Sequence, residues 1–530
     1  MIVNKKKMKD FLIDHKGKMF IITAIILSCL VGFWIIYLNI MNESIKDKII
    51  IRIPVDIKDW ETAGGSRTVY KAHIMDFIHE CFLNTQEDGK TIISGSGLLK
   101  QIPQKNGKII ICELKNEIYF HNNDPIQTDD VVYSINRGKI QGDKNYKKIS
   151  QVEKINDKRF KIYLDKDYSD WELFFTKYIK IINKKEVQKN EAKGLKIGTG
   201  PFKFKNHKIN DKVELELFEE YYDKQSIANT NKKIIFKIIS DNNTAIQELE
   251  TGKIDICTGL NSNQIINLKE KIDKSEFKNF KILENKTASS NYIYFNKIIT
   301  IPLVRDIISR SLNIQQMIEE LNLTSIVSFA KHFVNSNIIT LDINYHKNKL
   351  SETEAQKLVK QLKPEEKKLK LGVGVTTPLI YKIIDKLTNI GFEVELDTPN
   401  FNNLVANTIN KKYNMSIFGE SFDYKYPHPT YSDYFLTNNN KSNFCGVNEE
   451  DELYLEQKIK QAEIETNETK YNEIILDIER YLNKQNYLLP LTENKYNYIG
   501  YSVKLDPKFV KCDIFGYFYN LKSIPKKQIK

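Results

Sequence analysis

The residues able to do covalent or metal chemistry are few and scattered. The eight histidines stand at 15, 73, 79, 121, 207, 332, 346 and 428, none with the spacing of a metal-binding helix face, and His73 and His79 are six apart. No Gly-x-Ser-x-Gly elbow is present, and Ser94-Gly95-Ser96-Gly97 lacks the Gly-Lys-Ser/Thr of a phosphate loop. Six cysteines, Cys29, Cys81, Cys112, Cys257, Cys445 and Cys512, are widely spaced and form no metal or redox motif. Cys112 reads as a small core residue. The pattern argues against an enzyme and for no cofactor and no metal.

One stretch does place a carboxylate where a ligand collects. Residues 413–418 (YNMSIF) read as a strand ending at Gly419, and ligands of open α/β sheets gather beyond the carboxyl ends of strands. Gly419, Ser421 and Asp423 then share one face of an extended segment, with Glu420 and Tyr424 between and beside them. A carboxylate closed into a cleft needs a cation. The plainer alternative has Asp423 capping a turn or pairing with Lys425.

The elements that would carry this site follow from periodicity. Residues 109–114 read as a buried strand and 118–120 as a second short strand. His121-Asn122-Asn123-Asp124-Pro125 supplies turn chemistry, and Thr128 is expected to cap a helix through the amide of Val131, with Val131, Val132 and Ile135 facing inward. Asn106-Gly107 and Asn156-Asp157 mark hairpins. Gly198-Thr199-Gly200-Pro201 marks a corner where two backbone segments approach closely. Further on, strands at 234–239, 292–296, 369–373 and 394–396 alternate with helices at 243–250, 302–313, 351–363 and 379–387. That alternation predicts a second α/β lobe with a largely parallel sheet. At 530 residues the chain exceeds one core and divides into lobes.

Several of these segments, in order, resemble the family 5 solute-binding proteins of ABC importers, the oligopeptide and dipeptide binders. Phe120 to Val131, followed by Tyr133, Ser134 and Arg137, resembles that family's scaffold signature, with Asn123 in the place of its glycine. Gly198–Phe202, Tyr221-Tyr222, Val304-Arg305 with Ile308, Ser309 and Leu312, and Gly419 to Pro427 match further motifs. The resemblance spans about residues 48–521. It implies an α/β, bilobed, periplasmic-binding-protein-like fold of the large oligopeptide-binder class. The expected divisions are lobe 1 over 48–284 with an inserted subdomain at about 70–195, lobe 2 over 285–488, and a return to lobe 1 over 489–522. It also implies closure about a two-stranded hinge, a short peptide as ligand, and ABC permease and ATPase subunits as partners. Carried over residue by residue, Asp423 holds the peptide ammonium, Gly419 and Ser421 offer backbone contacts, and Glu420 stands where the family has a tryptophan, with Tyr424 beside Asp423. That replacement leaves open the same fold binding a metal complex, haem or sugar, a ligand sensor, or a homologue that binds nothing. An extracytoplasmic hydrolase is the remote alternative.

Residues 1–18 are lysine-rich and 19–40 are apolar and uncharged, long enough to cross a bilayer of ~30 Å. The basic end stays in the cytoplasm, which puts the rest on the extracytoplasmic side of the cell membrane. Ile26-Leu27-Ser28-Cys29 resembles a lipoprotein box only faintly, so an uncleaved anchor is expected. The net charge of +12 is spread among interleaved acidic residues, which reads as a solvated surface with no nucleic-acid partner.

Overall fold

The computed structural model describes residues 48–63, 68–86, 88–89, 91–228, 230–260, 262–345, 349–422, 426–437, 443–507, 510 and 512. The expected anchor at 19–40 and Cys29 lie outside these residues. Among the described residues no helix is long and apolar enough to cross a membrane.

Two large sheets carry the architecture. The first has seven strands in the order Phe280–Lys286, Tyr496–Ser502, Ile256–Cys257, Lys48–Ile53, Lys233–Ile238, Lys212–Leu217, Phe202–Lys208. Its central strands, Lys48–Ile53, Lys233–Ile238 and Ile256–Cys257, are parallel. The runs of Ile and Phe in them reflect cover on both faces. The second sheet has six strands in the order Val327–Phe329, Leu488–Asn494, Ser289–Phe295, Met415–Ser421, Lys368–Val373, Glu393–Asp397. Only its last three strands are mutually parallel, and the others pair antiparallel. The second sheet is therefore mixed rather than largely parallel. The βαβ periodicity of 351–396 fixes two strands, and the crossing strands add antiparallel partners that alternation alone does not reveal.

The chain crosses between the sheets twice, at residues 287–288 and at Lys495. Both crossings are ends of antiparallel pairs: Lys286 faces Tyr496 in the first sheet, and Ser290 faces Glu493 in the second. The strand Leu488–Asn494 thus still belongs to the second sheet, and the return follows it. Ser421 pairs with Ser289 beside the first crossing. The carboxyl ends of the parallel strands of both sheets consequently face the crossings, which is where a two-lobed protein encloses a ligand.

A four-stranded antiparallel sheet, Gln104–Asn106, Ile109–Glu113, Arg159–Leu164, Ile149–Lys154, has a separate core built on Phe82, Phe120, Phe160 and Phe175. Both expected hairpins are present in it, with Gly107 at φ +55. Ile109 and Ile111 are exposed while Ile110 and Cys112 are buried, so this strand is buried on one face only. Residues 118–120 form a single bridge, Tyr119 to Pro125, rather than a strand. Thr128 is not the cap of the helix Thr128–Ile140. Its hydroxyl donates to the Asn156 carbonyl at 2.8 Å, and the cap is Gln127, whose N–H donates to the Asp130 carboxylate at 3.0 Å. A tertiary acceptor outcompetes the local one.

The signature stretch acts as a scaffold. Asn123 adopts φ +66, the left-handed conformation expected where the family has glycine. The His121 Nδ1 accepts from Gly198 N–H at 3.2 Å and its Nε2 donates to the Gly200 carbonyl at 2.9 Å. A Cβ on Gly198 would lie 1.9 Å from the Ile78 carbonyl oxygen, so the close approach demands glycine. The five described cysteines are buried, and none of them is in a disulfide.

Candidate functional site

The second-sheet side of the site is the end of Met415–Ser421. The strand does not stop at Gly419 but continues through Ser421, paired with Ser289–Phe295 along its whole length. Gly419 serves close approach rather than termination: a Cβ there would meet Asn291 Oδ1 at 2.7 Å and the Ser290 carbonyl at 3.0 Å. On its other edge the strand pairs with Lys368–Val373 only as far as Ile417.

The direction of the backbone groups beyond Ile417 follows from alternation. Phe422 N–H donates to the Ala288 carbonyl at 3.1 Å, toward the 289–295 strand. Glu420 therefore faces that strand too, and the backbone groups of Gly419 and Ser421 face the opposite edge, where no described strand pairs. An extended ligand can add there as one more strand.

Two apolar side chains flank this lane. Val375, two residues past the end of Lys368–Val373, is 71% exposed, and Phe401, at the start of the helix Phe401–Ile409, is 58% exposed. A methyl on Gly374 would lie 3.4 Å from Leu404 and 3.9 Å from Phe401, so helix and strand end meet. Neither residue was singled out from sequence. The rule that placed Gly419, ligands beyond the carboxyl ends of strands, applies equally to Val373 before the capped helix at Thr377-Pro378 and would have found Val375. Glu420 is half-buried, and its charge helps to raise the pKa of Tyr292 and Tyr294, mainly a burial effect. Asp423 and Tyr424 lie outside the described residues, as does Lys425 of the turn-pairing alternative.

The first-sheet side is built by Arg52. Fully buried, it donates to the carbonyls of Ile239 at 2.7 Å and Thr258 at 2.5 Å and to Asn242 Oδ1 at 2.6 Å. One guanidinium thus ties together the ends of the three central parallel strands, and burial lowers its pKa. Beyond those ends lies an open groove of about 830 Å³ lined by Pro54, Val55, Asp56, Trp60, His207 and Ile209 among others. Asp56 accepts from Asn210 N–H at 2.8 Å and lies 2.9 Å from His207 Nε2.

The inserted subdomain meets the second lobe at a polar contact. Ser169 N–H donates to the Glu463 carbonyl at 2.9 Å, and its hydroxyl lies 3.1 Å from the carbonyls of Ala462 and Glu463. Asp170 is buried between Lys148 Nζ at 2.9 Å and His428 Nε2 at 3.5 Å. Burial alone would raise the Asp170 pKa, but Lys148 and then His428 outweigh it and hold it at about 2. Among the described residues no group of three or more His, Cys, Asp or Glu is placed to hold a metal ion. Among the described histidines, His121 clamps the corner and His428 lies against Tyr471.

The profile of the bacterial extracellular solute-binding proteins, family 5 Middle, matches residues 98–443 of the chain. The oligopeptide-binding protein AppA of Bacillus subtilis (strain 168) is 26% identical over 232 residues, 40% of this chain and 40% of that protein. The sequence match thus spans less than half the length of this relative. The structure of AppA from Bacillus subtilis in complex with a nonapeptide superposes with TM-score 0.71 at 18% identity, covering 91% of this chain and 99% of that one. The periplasmic binding protein DppA of Helicobacter pylori, in complex with peptide STSA, gives TM-score 0.73 at 16% identity, covering 92% and 100%. AgaA from A. tumefacien R10, in complex with agropinic acid, gives 0.71 at 16% identity, covering 91% and 99%. These likenesses show a common bilobed fold.

Proposed function

The chain belongs to the bacterial extracellular solute-binding proteins, family 5, and from that premise we propose that it captures short peptides between its lobes and delivers them to the permease and ATPase subunits of an ABC importer. The observation that carries this reading is the open strand edge at Gly419 and Ser421, whose backbone groups face away from the 289–295 strand toward a lane that no described strand occupies. A peptide backbone is the ligand that such an edge recognises without regard to side chains. In this reading Asp423 receives the peptide α-ammonium, Tyr424 lies alongside, and Val375 and Phe401 offer apolar surface to the peptide side chains. Lobe 1, residues 48–286 with the return from 496, and lobe 2, residues 289–494, close about the crossings at 287–288 and 495. Residues 19–40 hold the chain in the cell membrane with the binding lobes on the extracytoplasmic side.

A second reading keeps the fold and changes the solute. Glu420 stands in place of the family's tryptophan, and AgaA, of the same fold, is bound to agropinic acid. Mass spectrometry of the solute that co-purifies with the chain separates the two: a ladder of short peptides supports peptide capture, and a single non-peptide mass overturns it. Intact-mass measurement of the membrane form tests the anchor. A mature chain starting at Cys29 with added acyl mass would replace an uncleaved anchor by lipoprotein processing.

A further inference from the structure

The contact between the inserted subdomain and the second lobe joins two cores that share no sheet. Tyr168 belongs to the core of Phe82, Phe120 and Phe160, whereas Ala462 belongs to that of Tyr431, Ile475 and Leu482. Between them the bonding is polar. The helix Glu449–Ile464 ends with carbonyls that lack partners within the helix. Ser169 supplies its N–H and hydroxyl to the Glu463 and Ala462 carbonyls from across the gap. Lys166 lies 3.1 Å and Lys148 3.7 Å from the Glu463 carboxylate, so two cations meet the negative end of that helix. Asp170 completes the set, with Lys148 on its own side and His428 on the other.

We propose that Lys148, Lys166, Ser169 and Asp170 form a latch onto His428 and the end of the Glu449–Ile464 helix, holding the lobes closed through contacts that include no ligand atom. Every member is polar, so each regains water when the lobes part. The desolvation of paired charges offsets most of their attraction, which leaves a small bias and an easily reversed contact. The ligand-free chain therefore visits the closed arrangement, and the latch sets how often. It acts on capture by raising the fraction of closed chains, and it touches no solute.

Disulfide trapping in the full chain, in membranes washed free of solute, tests this directly. Ser169→Cys with Glu463→Cys places two thiols across the contact and keeps the Lys148–Asp170–His428 set and the Ser169 backbone N–H that bonds the Glu463 carbonyl; a copper–phenanthroline oxidant joins the thiols when the lobes meet. The expected result is cross-linking without any solute, slowed at least about fivefold by adding Asp170→Asn, the effect of a weak ion pair. Lys148→Met is the second variant, with the same slowing expected should Asp170→Asn fail to fold. A cross-link that forms only when a trialanine probe is added, or one whose rate neither variant changes, overturns the latch. Because the decisive arm contains no solute, the outcome is independent of whether the solute is a peptide.

Discussion

Glu479 and Asp170 are two buried carboxylates held in opposite ways. Glu479, on the helix Glu468–Gln485, is fully buried and accepts from the N–H groups of Phe333 at 3.1 Å and Val334 at 2.9 Å and from the hydroxyls of Tyr345 and Tyr431. Among the described residues no cation pairs with it. Its donors are neutral, and all come from within the second lobe. Asp170 is equally buried but is held by Lys148 and His428, and His428 reaches it from the other lobe. Neutral donors enclosed in one core leave a carboxylate nowhere to go, whereas a lysine and a histidine on two bodies can part from it into water. The first arrangement builds a lobe; the second joins lobes that must separate.

The contrast is sharpest at Glu479 itself. Glu479→Gln turns an amide N–H₂ toward two of the four donors and should destabilise the second lobe by about 3 kcal/mol or more, read as a lowered denaturation midpoint. A change below ~1 kcal/mol would mean that the carboxylate does not hold the lobe together.

Asp423 should fall on the other side of the contrast, as a carboxylate whose cation arrives with the ligand. Asp423→Asn should spare the fold and weaken peptide binding by about 3 kcal/mol, roughly a hundredfold. N-terminal acetylation of the peptide should cost the same in the unchanged protein and little more in the variant, since both changes remove one interaction. Calorimetry on the four combinations decides it. Additive losses would return Asp423 to a turn-capping role.

Acid should strike the corner that behaves like Glu479, where neutral groups are locked in place. Burial, and after it Lys180, holds the His79 pKa at about 3, and burial holds His121 at about 4. Both lie below the unfolded value of about 6.5, so the unfolded chain binds more protons and stability falls as pH drops below 6.5. By pH 5, His79 alone should cost about 2 kcal/mol, with a smaller share from the partly exposed His121. Urea midpoints from pH 7 to 5 measure it, and His79→Gln should flatten the slope.

What the sequence revealed and what it hid divide along the same line. Local demands were legible: Asn123 in the left-handed conformation and Gly107 in its hairpin. Each is set by a residue's own backbone or by its neighbours in the chain. Pairings made at a distance were not. Thr128 reads as a cap because its local acceptor role is favourable, but the Asn156 carbonyl takes its hydroxyl instead. Gly419 reads as a stop, yet the strand continues because pairing with Ser289–Phe295 continues. The latch draws on residues 148, 166, 169, 170, 428 and 463, whose types are ordinary and whose spacing carries no period. At the site, the strand leading to Gly419 was legible from its apolar run, whereas its open edge depends on where Lys368–Val373 ends.

That open edge is the central claim, and amide hydrogen exchange resolved to single residues tests it most directly. On saturation with a peptide, the N–H groups of Gly419 and Ser421 should slow by at least about tenfold, as a new strand takes up their hydrogen bonds. Glu420, already facing the 289–295 strand, should barely change. Saturable peptide binding that leaves Gly419 and Ser421 exchanging as before would contradict the account.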